Sequence, residues 1–233
     1  MVDEPAPRIT VTKNGPYSVS MAVPLTRQVI EADAEGQSRE WREGASLDVE
    51  AAYRLCRCGA SSTKPFCDGT HARIKFDGTE TASRASYLDQ ARELDGPAMV
   101  LTDAEALCAF ARFCDPDGQV WNLIEHTDTS DGRAKVKHEA GHCPGGRLVA
   151  WDKPAKAAYE PSFAPSIGLI EDPKLEVSGP IWVRGGIAIE SADGTPYELR
   201  NRVTLCRCGA SSNKPYCDGS HASIKFHDDS APA

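Results

Sequence analysis

The sequence has few features that would suit a protein to membranes or nucleic acids. No apolar run approaches the roughly 20 residues that a membrane-spanning helix needs. Lys and Arg number 26 against 34 Asp and Glu, for a formal net charge of -8, whereas non-specific nucleic-acid binders need an excess of cations. The first residues, MVDEPAPRIT, lack the basic and apolar regions of a signal peptide. We therefore expect a cytoplasmic protein that binds neither membranes nor nucleic acids.

Signatures of common catalytic folds are also missing from the sequence. It contains no dinucleotide-binding fingerprint, no phosphate-binding P-loop and no nucleophile elbow. Each of these motifs would place a cofactor, a nucleotide or a reactive serine on a recognisable turn. Without them, we expect a binding or carrier protein rather than an enzyme.

Cysteine is the residue type that stands out among those present. Nine is an odd count, and without a signal peptide such cysteines are more often metal ligands or free thiols than disulfides. Six of the nine lie in an internal repeat: residues 56–71 read CRCGASSTKPFCDGTH, and residues 206–221 read CRCGASSNKPYCDGSH. Thirteen of the sixteen positions are identical, which indicates a duplication.

The repeat extends upstream of the cysteines. Residues 15–19, GPYSV, align with residues 179–183, GPIWV, at an offset of 164, whereas the cysteines are offset by 150. The first copy therefore carries about 14 extra residues between these two points. The polar and charged stretch 31–44 is the candidate, and its composition predicts a surface loop.

Each copy is predicted to combine short strands with a short helix. Polar and apolar residues alternate at 9–12 and 175–177, which is typical of strands. A later strand should end near Leu205 and lead into the second cysteine set. Asp68 and Asp218 follow the third cysteine of each copy, where they either cap a helix or support the ligands, and the pattern leaves both readings open.

The segment between the two copies has a different character. Thr102 and Glu105 form a capping-box signal, and residues 104–114, AEALCAFARFC, are predicted to form a helix. Residues 126–141 are charged and indicate a second helix. Residues 151–165 are rich in proline and non-periodic, which predicts a connector that returns to the second copy.

Three cysteines and one histidine within sixteen residues form a compact set of metal donors. Cys56 and Cys58 point to the same face of a strand, and Cys67 and His71 share one face of a helical turn. Two such pairs suit a two-iron cluster, in which each iron needs two protein ligands, or a single tetrahedral zinc ion. The second copy repeats the set with Cys206, Cys208, Cys217 and His221.

In these residues the chain resembles the CDGSH iron–sulfur proteins, also called NEET proteins. Their pattern is Cys-x-Cys-x2-Ser/Thr-x3-Pro-x-Cys-Asp-Gly-Ser/Ala/Thr-His, and both copies fit it without exception. The resemblance implies two [2Fe–2S] clusters with three-cysteine, one-histidine ligation. It assigns Cys56 and Cys58 to the inner iron and Cys67 and His71 to the outer one. Cys206 with Cys208 and Cys217 with His221 repeat this assignment.

Histidine ligation has two chemical consequences. Replacing one thiolate by a neutral imidazole favours the reduced cluster and raises its potential. The imidazole also makes cluster retention sensitive to acid, because protons compete with iron for its nitrogen. We therefore expect electron transfer, cluster transfer or redox sensing. The alternatives are a structural zinc-binding interaction module and the electron-transfer subunit of an unidentified oxidoreductase.

Three further cysteines lie in the middle segment, at Cys108, Cys114 and Cys143. Their pattern resembles the divergent, ferredoxin-like family with one [4Fe–4S] cluster. Members often carry a histidine two residues after the first cysteine, where this chain has Phe110, and no fourth ligand is evident. On the predicted helix, Cys108 and Cys114 would lie on different faces. A third iron–sulfur cluster or a zinc ion and a metal-free remnant both remain open.

Together these patterns predict a β-rich α+β protein built from two duplicated modules of strands, cluster loop and short helix. The modules form an internal pseudo-dimer around a small helical middle segment. We expect CDGSH module 1 at residues 1–92, the divergent ferredoxin-like segment and connector at 93–172, and CDGSH module 2 at 173–233. The expected state is a monomer that meets redox or cluster-acceptor proteins whose identity the sequence does not give.

Overall fold

The computed structural model describes residues 6–228, in which short strands predominate. The strands are β1 (Arg8–Val11), β2 (Tyr17–Ser20), β3 (Leu25–Ala32), β4 (Ser38–Leu47), β5 (Ala52–Leu55), β6 (Arg92–Asp95), β7 (Met99–Asp103), β8 (Leu148–Asp152), β9 (Ala157–Tyr159), β10 (Ser166–Asp172), β11 (Val177–Arg184), β12 (Ala188–Glu190) and β13 (Arg202–Leu205). The α-helices are α1 (Thr70–Arg73), α2 (Tyr87–Gln90), α3 (Val120–Leu123), α4 (Ser130–His142) and α5 (Ser220–Ser223). Three 3-10 turns cover Glu105–Leu107, Pro116–Gly118 and Ile124–His126. The predicted β-rich α+β class is confirmed.

Two of the three sheets contain strands from both copies of the repeat. The first sheet has the order β12-β1-β2-β5, and its β12 comes from the second copy and pairs in parallel with β1. The second sheet has the order β13-β11-β10-β3-β4, and its β3 comes from the first copy and pairs in parallel with β10. The two copies therefore exchange strands, as expected for an internal pseudo-dimer.

The main core lies between these two mixed sheets. Burial alternates along β1 and β2, so that Ile9, Val11 and Val19 point inward and are fully buried. They share one apolar cluster with Ile181 and Leu205 from the second copy. Because the cluster is continuous across the two copies, burial of these apolar side chains stabilises both cysteine-bearing modules together.

Residues 31–44, predicted as a surface loop, form most of a β-hairpin instead. β3 and β4 pair from Leu25 with Leu47 to Ala32 with Ser38. The prediction was wrong because its polar composition reflects an edge strand: β4 is mostly exposed, whereas the start of β3 is buried between β10 and β4. The insertion thus extends the second sheet and brings Glu40 and Trp41 close to the middle segment.

The middle segment builds the third sheet, of order β6-β7-β8-β9, with α3 and α4 packed against it. The second predicted helix is confirmed as α4, whose Thr129 side chain accepts a hydrogen bond from the Gly132 N–H at 3.0 Å. The predicted connector over 151–165 contains the end of β8 and all of β9.

The helix predicted over residues 104–114 is absent from the structure. After the 3-10 turn at Glu105–Leu107 the chain runs as an irregular loop, in which Phe110 and Arg112 have φ of 55° and 62°. The buried positions are Leu107, Ala109, Ala111 and Phe113, a spacing of two that an α-helix cannot present to one core. Thr102, read as a helix cap, belongs to β7.

Within residues 6–228 no helix combines the length and apolar character that crossing a membrane requires.

Candidate metal centres

Each cluster loop is held against the strand that precedes it. In the first copy, β5 ends at Leu55, and the returning chain pairs with it through an isolated bridge to Phe66. The Cys56 N–H donates to the Pro65 carbonyl at 2.8 Å, and the Cys67 N–H donates to the Arg54 carbonyl at 3.0 Å. These bonds bring the first and third cysteines to the same end of the strand.

The second copy repeats this closure from β13. Leu205 forms the bridge to Tyr216. The Cys206 N–H donates to the Pro215 carbonyl, and the Cys217 N–H donates to the Thr204 carbonyl, both at 2.9 Å. We call the donor sets site 1 (Cys56, Cys58, Cys67 and His71) and site 2 (Cys206, Cys208, Cys217 and His221).

The donor atoms of each site form two close pairs. In site 1 the two sulfurs of Cys56 and Cys58 are 3.8 Å apart, and the Cys67 sulfur is 3.3 Å from His71 Nδ1. The corresponding distances in site 2 are 3.7 and 3.4 Å. A tetrahedral metal with bonds of about 2.3 Å to sulfur has neighbouring sulfurs about 3.8 Å apart. Each pair therefore fits the coordination of one metal.

The two pairs of a site do not converge on a single metal ion. Within the described part of the chain, the only group of three donor side chains whose ligand atoms all lie within 4.8 Å of one another is Glu40, His138 and His142. Four ligands around one tetrahedral zinc would meet that limit. The spacing in sites 1 and 2 instead fits a centre with two metals, each held by one donor pair.

Backbone N–H groups stabilise one thiolate of each first pair. The Cys58 thiol hydrogen-bonds to Cys56 and lowers the Cys56 pKa to about 6, with further contributions from the N–H groups of Ser61 and Gly59. In site 2 the pKa of Cys206 is likewise lowered to about 6, and the hydrogen bond with the Cys208 thiol makes the largest contribution. The sequence folds this way because Gly59 and Gly209 adopt φ of 75° and 82°, which turns the following N–H groups back toward sulfur.

Asp68 and Asp218 brace the cluster loops and also accept a hydrogen bond from the first N–H of the short helix that follows, at Thr70 and Ser220. The N-cap position of α1 is Gly69, with φ of 85° and no side-chain cap. Asp68 accepts hydrogen bonds from the Thr70 N–H at 2.9 Å and the Ser62 N–H at 2.9 Å, and the Ser62 bond contributes most to lowering its pKa. The carboxylate thereby ties the loop after the first pair to the turn that carries the second.

Sites 1 and 2 differ in exposure. Cys67 and His71 are both partly exposed to solvent. Their counterparts Cys217 and His221 are 2% and 4% exposed. Burial lowers the pKa of His221 to about 4, and the positive charge of Arg207 adds to this effect.

The cover over site 2 comes from the middle segment. A Cβ atom placed on Gly219 would lie 3.1 Å from Phe110 Cβ and 3.6 Å from the Cys108 carbonyl oxygen, whereas one on Gly69 would meet nothing within 4 Å. The Asn213 side chain also donates to the Ala106 carbonyl at 2.7 Å. The loop after Glu105–Leu107 therefore lies on site 2 and leaves site 1 open.

A buried arginine occupies the middle of each Cys-Arg-Cys triplet. Arg57 is 1% exposed and donates to the carbonyls of Thr12 and Gly78. Its guanidinium also lies 5.6 Å from the Tyr17 ring centroid. Within residues 6–228 Arg57 forms no direct ion pair, although its charge acts on the Asp77 carboxylate, whose pKa is lowered mainly by hydrogen bonds from Thr79 and also by Arg57.

Arg207, the equivalent residue beside site 2, lies in a network of buried charges. It is 3% exposed and forms ion pairs with Asp228 and with Glu171 at 2.8 Å. Arg27 joins the same two carboxylates, at 2.9 Å from Glu171 and 3.8 Å from Asp228. Arg207 is thus paired directly with two carboxylates, in contrast to Arg57.

The two sites touch through their backbones. Cys58 and Cys208 form an isolated antiparallel bridge. A Cβ atom on Gly59 would lie 2.4 Å from the Cys208 carbonyl oxygen, and one on Gly209 would lie 2.6 Å from the Cys58 carbonyl oxygen. Glycine is required at both positions, because any side chain would separate the two cluster loops.

The three remaining cysteines line a single small cavity. Cys108 and Cys114 come from the irregular loop and Cys143 from the end of α4, and Phe110 and Arg147 complete the lining. The expectation of different faces was wrong, because the loop curves around the cavity instead of forming a helix. Within the described residues their sulfurs do not all lie within 4.8 Å of one another, so they do not form a compact ligand set for one metal ion.

The repeated strand, loop and cysteine–histidine arrangement defines a metal-binding protein with two equivalent centres and a third cysteine cluster. Comparison with known families agrees: residues 14–72 and 178–222 match the family described as iron-binding zinc finger CDGSH type. Residues 94–153 match the family described as divergent 4Fe-4S mono-cluster. The chain thus carries two CDGSH-type regions with a segment similar to the divergent 4Fe–4S family between them, and these matches support a role in iron–sulfur binding.

Searches of curated proteins and of solved structures each gave no match to the chain.

Sequence reasoning missed several residues that shape these sites. The arginine of each Cys-Arg-Cys triplet is identical in both copies, and that identity between the ligands was an available signal. Tyr17 gave no such signal: its hydroxyl donates to the carbonyls of Cys206 at 2.8 Å and Pro215 at 3.0 Å. This contact crosses between copies, and Ile181 stands at the aligned position in the second copy.

Proposed function

We propose that each site binds one [2Fe–2S] cluster through three cysteines and one histidine, and that the protein carries electrons. The observation that carries this proposal is the separation of each donor set into two pairs with tetrahedral spacing. Cys56 with Cys58 and Cys206 with Cys208 hold the inner irons. The outer irons are held by Cys67 with His71 and by Cys217 with His221.

The protein's own residues divide the work between the two sites. A bound [2Fe–2S] cluster supplies one-electron redox chemistry. Partly exposed Cys67 and His71 give site 1 direct access to a partner surface, whereas site 2 is enclosed. The bridge between Cys58 and Cys208 places the enclosed site next to the exposed one. Site 1 is therefore the point of exchange and site 2 the internal relay.

We also propose that the middle cysteines hold a third iron–sulfur group of the 4Fe–4S kind. The match of residues 94–153 to the divergent 4Fe-4S mono-cluster family and the position of Cys108, Cys114 and Cys143 around one cavity support this assignment. The order of centres would then be site 1, site 2 and the middle cavity. Zinc at the middle cysteines and a metal-free remnant are the alternatives.

Transfer of a whole cluster from site 1 is the second candidate function. The observation that favours it is the exposure of His71, because a solvent-accessible imidazole can be protonated and leave the metal. Site 2 would keep its cluster, since His221 is buried. In both versions we propose a cytoplasmic monomer that acts as a carrier and not as a catalyst, and whose partners are redox or cluster-acceptor proteins.

Metal and sulfide analysis of anaerobically purified protein tests the assignment of cofactors. Two [2Fe–2S] clusters contain four irons and four sulfides, and a [4Fe–4S] group adds four of each. The triple variant Cys108→Ser, Cys114→Ser, Cys143→Ser should lose only the four irons and four sulfides of the [4Fe–4S] group. A colourless protein with two zinc ions per chain would overturn the proposal in favour of a zinc module.

The two carrier functions are separated by mixing the holo-protein with an apo-ferredoxin. Cluster transfer predicts that iron moves to the acceptor, and that Cys67→Ser changes the transfer while Cys217→Ser does not. Electron transfer predicts oxidation of the dithionite-reduced protein by an oxidised ferredoxin without movement of iron. Electron paramagnetic resonance and iron analysis of the re-separated proteins distinguish these outcomes.

A further inference from the structure

A second type of donor cluster lies away from the cysteine sites, between β4 and α4. Two histidines, His138 and His142, stand four residues apart on α4, so both project from one face of the helix. Glu40 reaches them from β4, with its carboxylate 3.2 Å from His142 Nε2 and 3.9 Å from His138 Nε2. One ligand atom from each of the three side chains lies within 4.8 Å of the other two.

Hydrogen bonds orient both imidazoles toward the carboxylate. His142 Nδ1 lies 2.8 Å from the His138 carbonyl oxygen. A carbonyl can only accept, so Nδ1 carries a proton, and Nε2 is the nitrogen that faces Glu40 and can bind a metal once it is deprotonated. His138 Nε2 donates to the Arg39 carbonyl at 3.1 Å, and metal binding through this nitrogen would replace that hydrogen bond.

Aromatic packing holds the two elements in register at this point. Trp41, next to Glu40 on β4, donates its indole N–H to the His142 carbonyl at 3.1 Å. The Trp41 ring also packs at 4.7 Å on Phe113, which in turn lies 5.3 Å from the His142 ring. The donors are thereby held together without any metal, which reduces the ordering that metal binding would require.

Without a metal, a proton on His142 Nε2 would pair with Glu40, but protonating both rings would place like charges on rings whose centroids are 4.0 Å apart. A divalent cation removes this conflict, because it accepts the lone pairs of both rings and balances the carboxylate. Imidazole with carboxylate is a donor set suited to zinc and its neighbours in the first transition series.

One side of this cluster is open. His138, His142 and Trp41 border a cavity of about 920 Å³ that also receives Arg184 and Phe163. Three protein donors with an open position are typical of metal sites that exchange a ligand, whereas structural zinc sites use four protein donors.

We propose that Glu40, His138 and His142 form a site for one divalent transition-metal ion of the zinc type, with an exchangeable position facing the cavity. Glu40 comes from the hairpin that only the first copy carries, and both histidines come from the middle segment. The site therefore exists only where the insertion and the middle segment meet.

The test is a titration of the holo-protein with ZnCl2 after treatment with a mild chelator. Isothermal calorimetry should show one zinc ion per chain, while the visible spectrum of the iron–sulfur centres stays constant. His142→Ala and His138→Ala should each weaken binding at least about tenfold, since even changes to groups behind the ligands cost about 10–100-fold in affinity. His126→Ala, an exposed histidine elsewhere in the middle segment, should leave binding unchanged.

A second measurement guards against a variant that misfolds. Nuclear magnetic resonance of the unmodified protein should show the ring protons of His138 and His142 shifting with zinc at one equivalent. Glu40→Gln keeps the shape of the side chain and should weaken zinc binding without changing the melting temperature. Absence of zinc binding, or binding that survives both histidine variants, would overturn the proposal.

Discussion

Sites 1 and 2 share thirteen of sixteen motif residues but lie in different surroundings. Their donor pairs agree within 0.1 Å, at 3.8 against 3.7 Å and 3.3 against 3.4 Å. Yet His71 is partly exposed while His221 is 4% exposed. The motif thus determines the geometry of the donors, and contacts from distant segments determine their access to solvent. Duplication followed by unequal covering gives one chain two similar donor sets that differ in their access to solvent.

Electrostatics separates the two sites further. Arg57 contributes an unpaired positive charge beside site 1, whereas Arg207 shares Asp228 and Glu171 with Arg27. A net positive charge near a cluster favours its reduced form, because reduction adds an electron. Site 1 should therefore have the higher potential of the two through this difference.

The largest expected difference between the copies concerns these arginines. Arg207→Met would leave two buried carboxylates with one cation fewer, and breaking a buried ion pair costs about 3–5 kcal/mol. Arg57→Met leaves only carbonyl groups without a donor, at about 1–3 kcal/mol. Thermal unfolding of the two holo-variants, compared by melting temperature, should show the larger loss for Arg207→Met. Equal losses would contradict the difference in pairing.

Acid should remove the two clusters in separate phases. The protonated imidazole cannot bind iron, and burial lowers the pKa of His221 to about 4, so its ligation should persist to lower pH than that of exposed His71. Visible absorption after a jump to mildly acidic pH should decay first from site 1 and later from site 2. His71→Cys should abolish the fast phase and lower the potential of site 1, and His221→Cys should act on the slow phase.

A single phase that both variants slow equally would show that exposure does not govern cluster loss. Iron released per phase provides the control, since each phase should account for two irons.

Removing the cover of site 2 should make it resemble site 1. Phe110→Ala keeps the Cβ atom next to Gly219 but removes the ring, whose Cγ would lie 3.7 Å from a Cβ atom on Gly219, and solvent should then reach Cys217 and His221 more readily. The slow phase of acid bleaching should become several-fold faster, while the fast phase should not change. Leu199→Ala, at a residue 64% exposed, is the matched control and should alter neither phase.

The smallest expected difference is in the stability of alanine variants at two equivalent glycines. Gly69 and Gly219 have φ of 85° and 87°, so alanine carries a similar backbone cost of about 1–2 kcal/mol at each. Only at Gly219 would the new Cβ press on Phe110, at 3.1 Å. Gly219→Ala should therefore lower the melting temperature more than Gly69→Ala. A larger loss of melting temperature for Gly69→Ala would contradict the placement of the cover on the cluster loop of site 2.

The sequence predicted the parts of the sites that depend on short-range spacing. Cys56 with Cys58 and Cys67 with His71 are separated by two and four residues, and local geometry alone brings such donors together. The α+β class and helix α4 were predicted from local patterns of the same kind.

The sequence did not predict features that depend on distant contacts. The cover over Gly219 depends on Phe110. The position of Glu40 beside His142 depends on the pairing of β3 with β10, which joins the β3–β4 hairpin to the second sheet. A helix was predicted over residues 104–114 from a capping-box signal and a pattern rich in alanine, which favours helices in isolation. Tertiary burial of every second residue, among them Ala109 and Ala111, overrode that preference.

The exchange of strands also sets the order in which the protein can be completed during synthesis. β12 closes the sheet that begins with β1, and their register joins Ile9 to Ile189. Pairing across so many residues is slow, because the intervening chain must be ordered first. The module that contains site 1 is translated early but gains its last strand only after residue 190 of 233 has emerged. The first set of cysteines therefore emerges long before its sheet can close, whereas the second set, which begins at Cys206, emerges only after every strand of both mixed sheets has been synthesised.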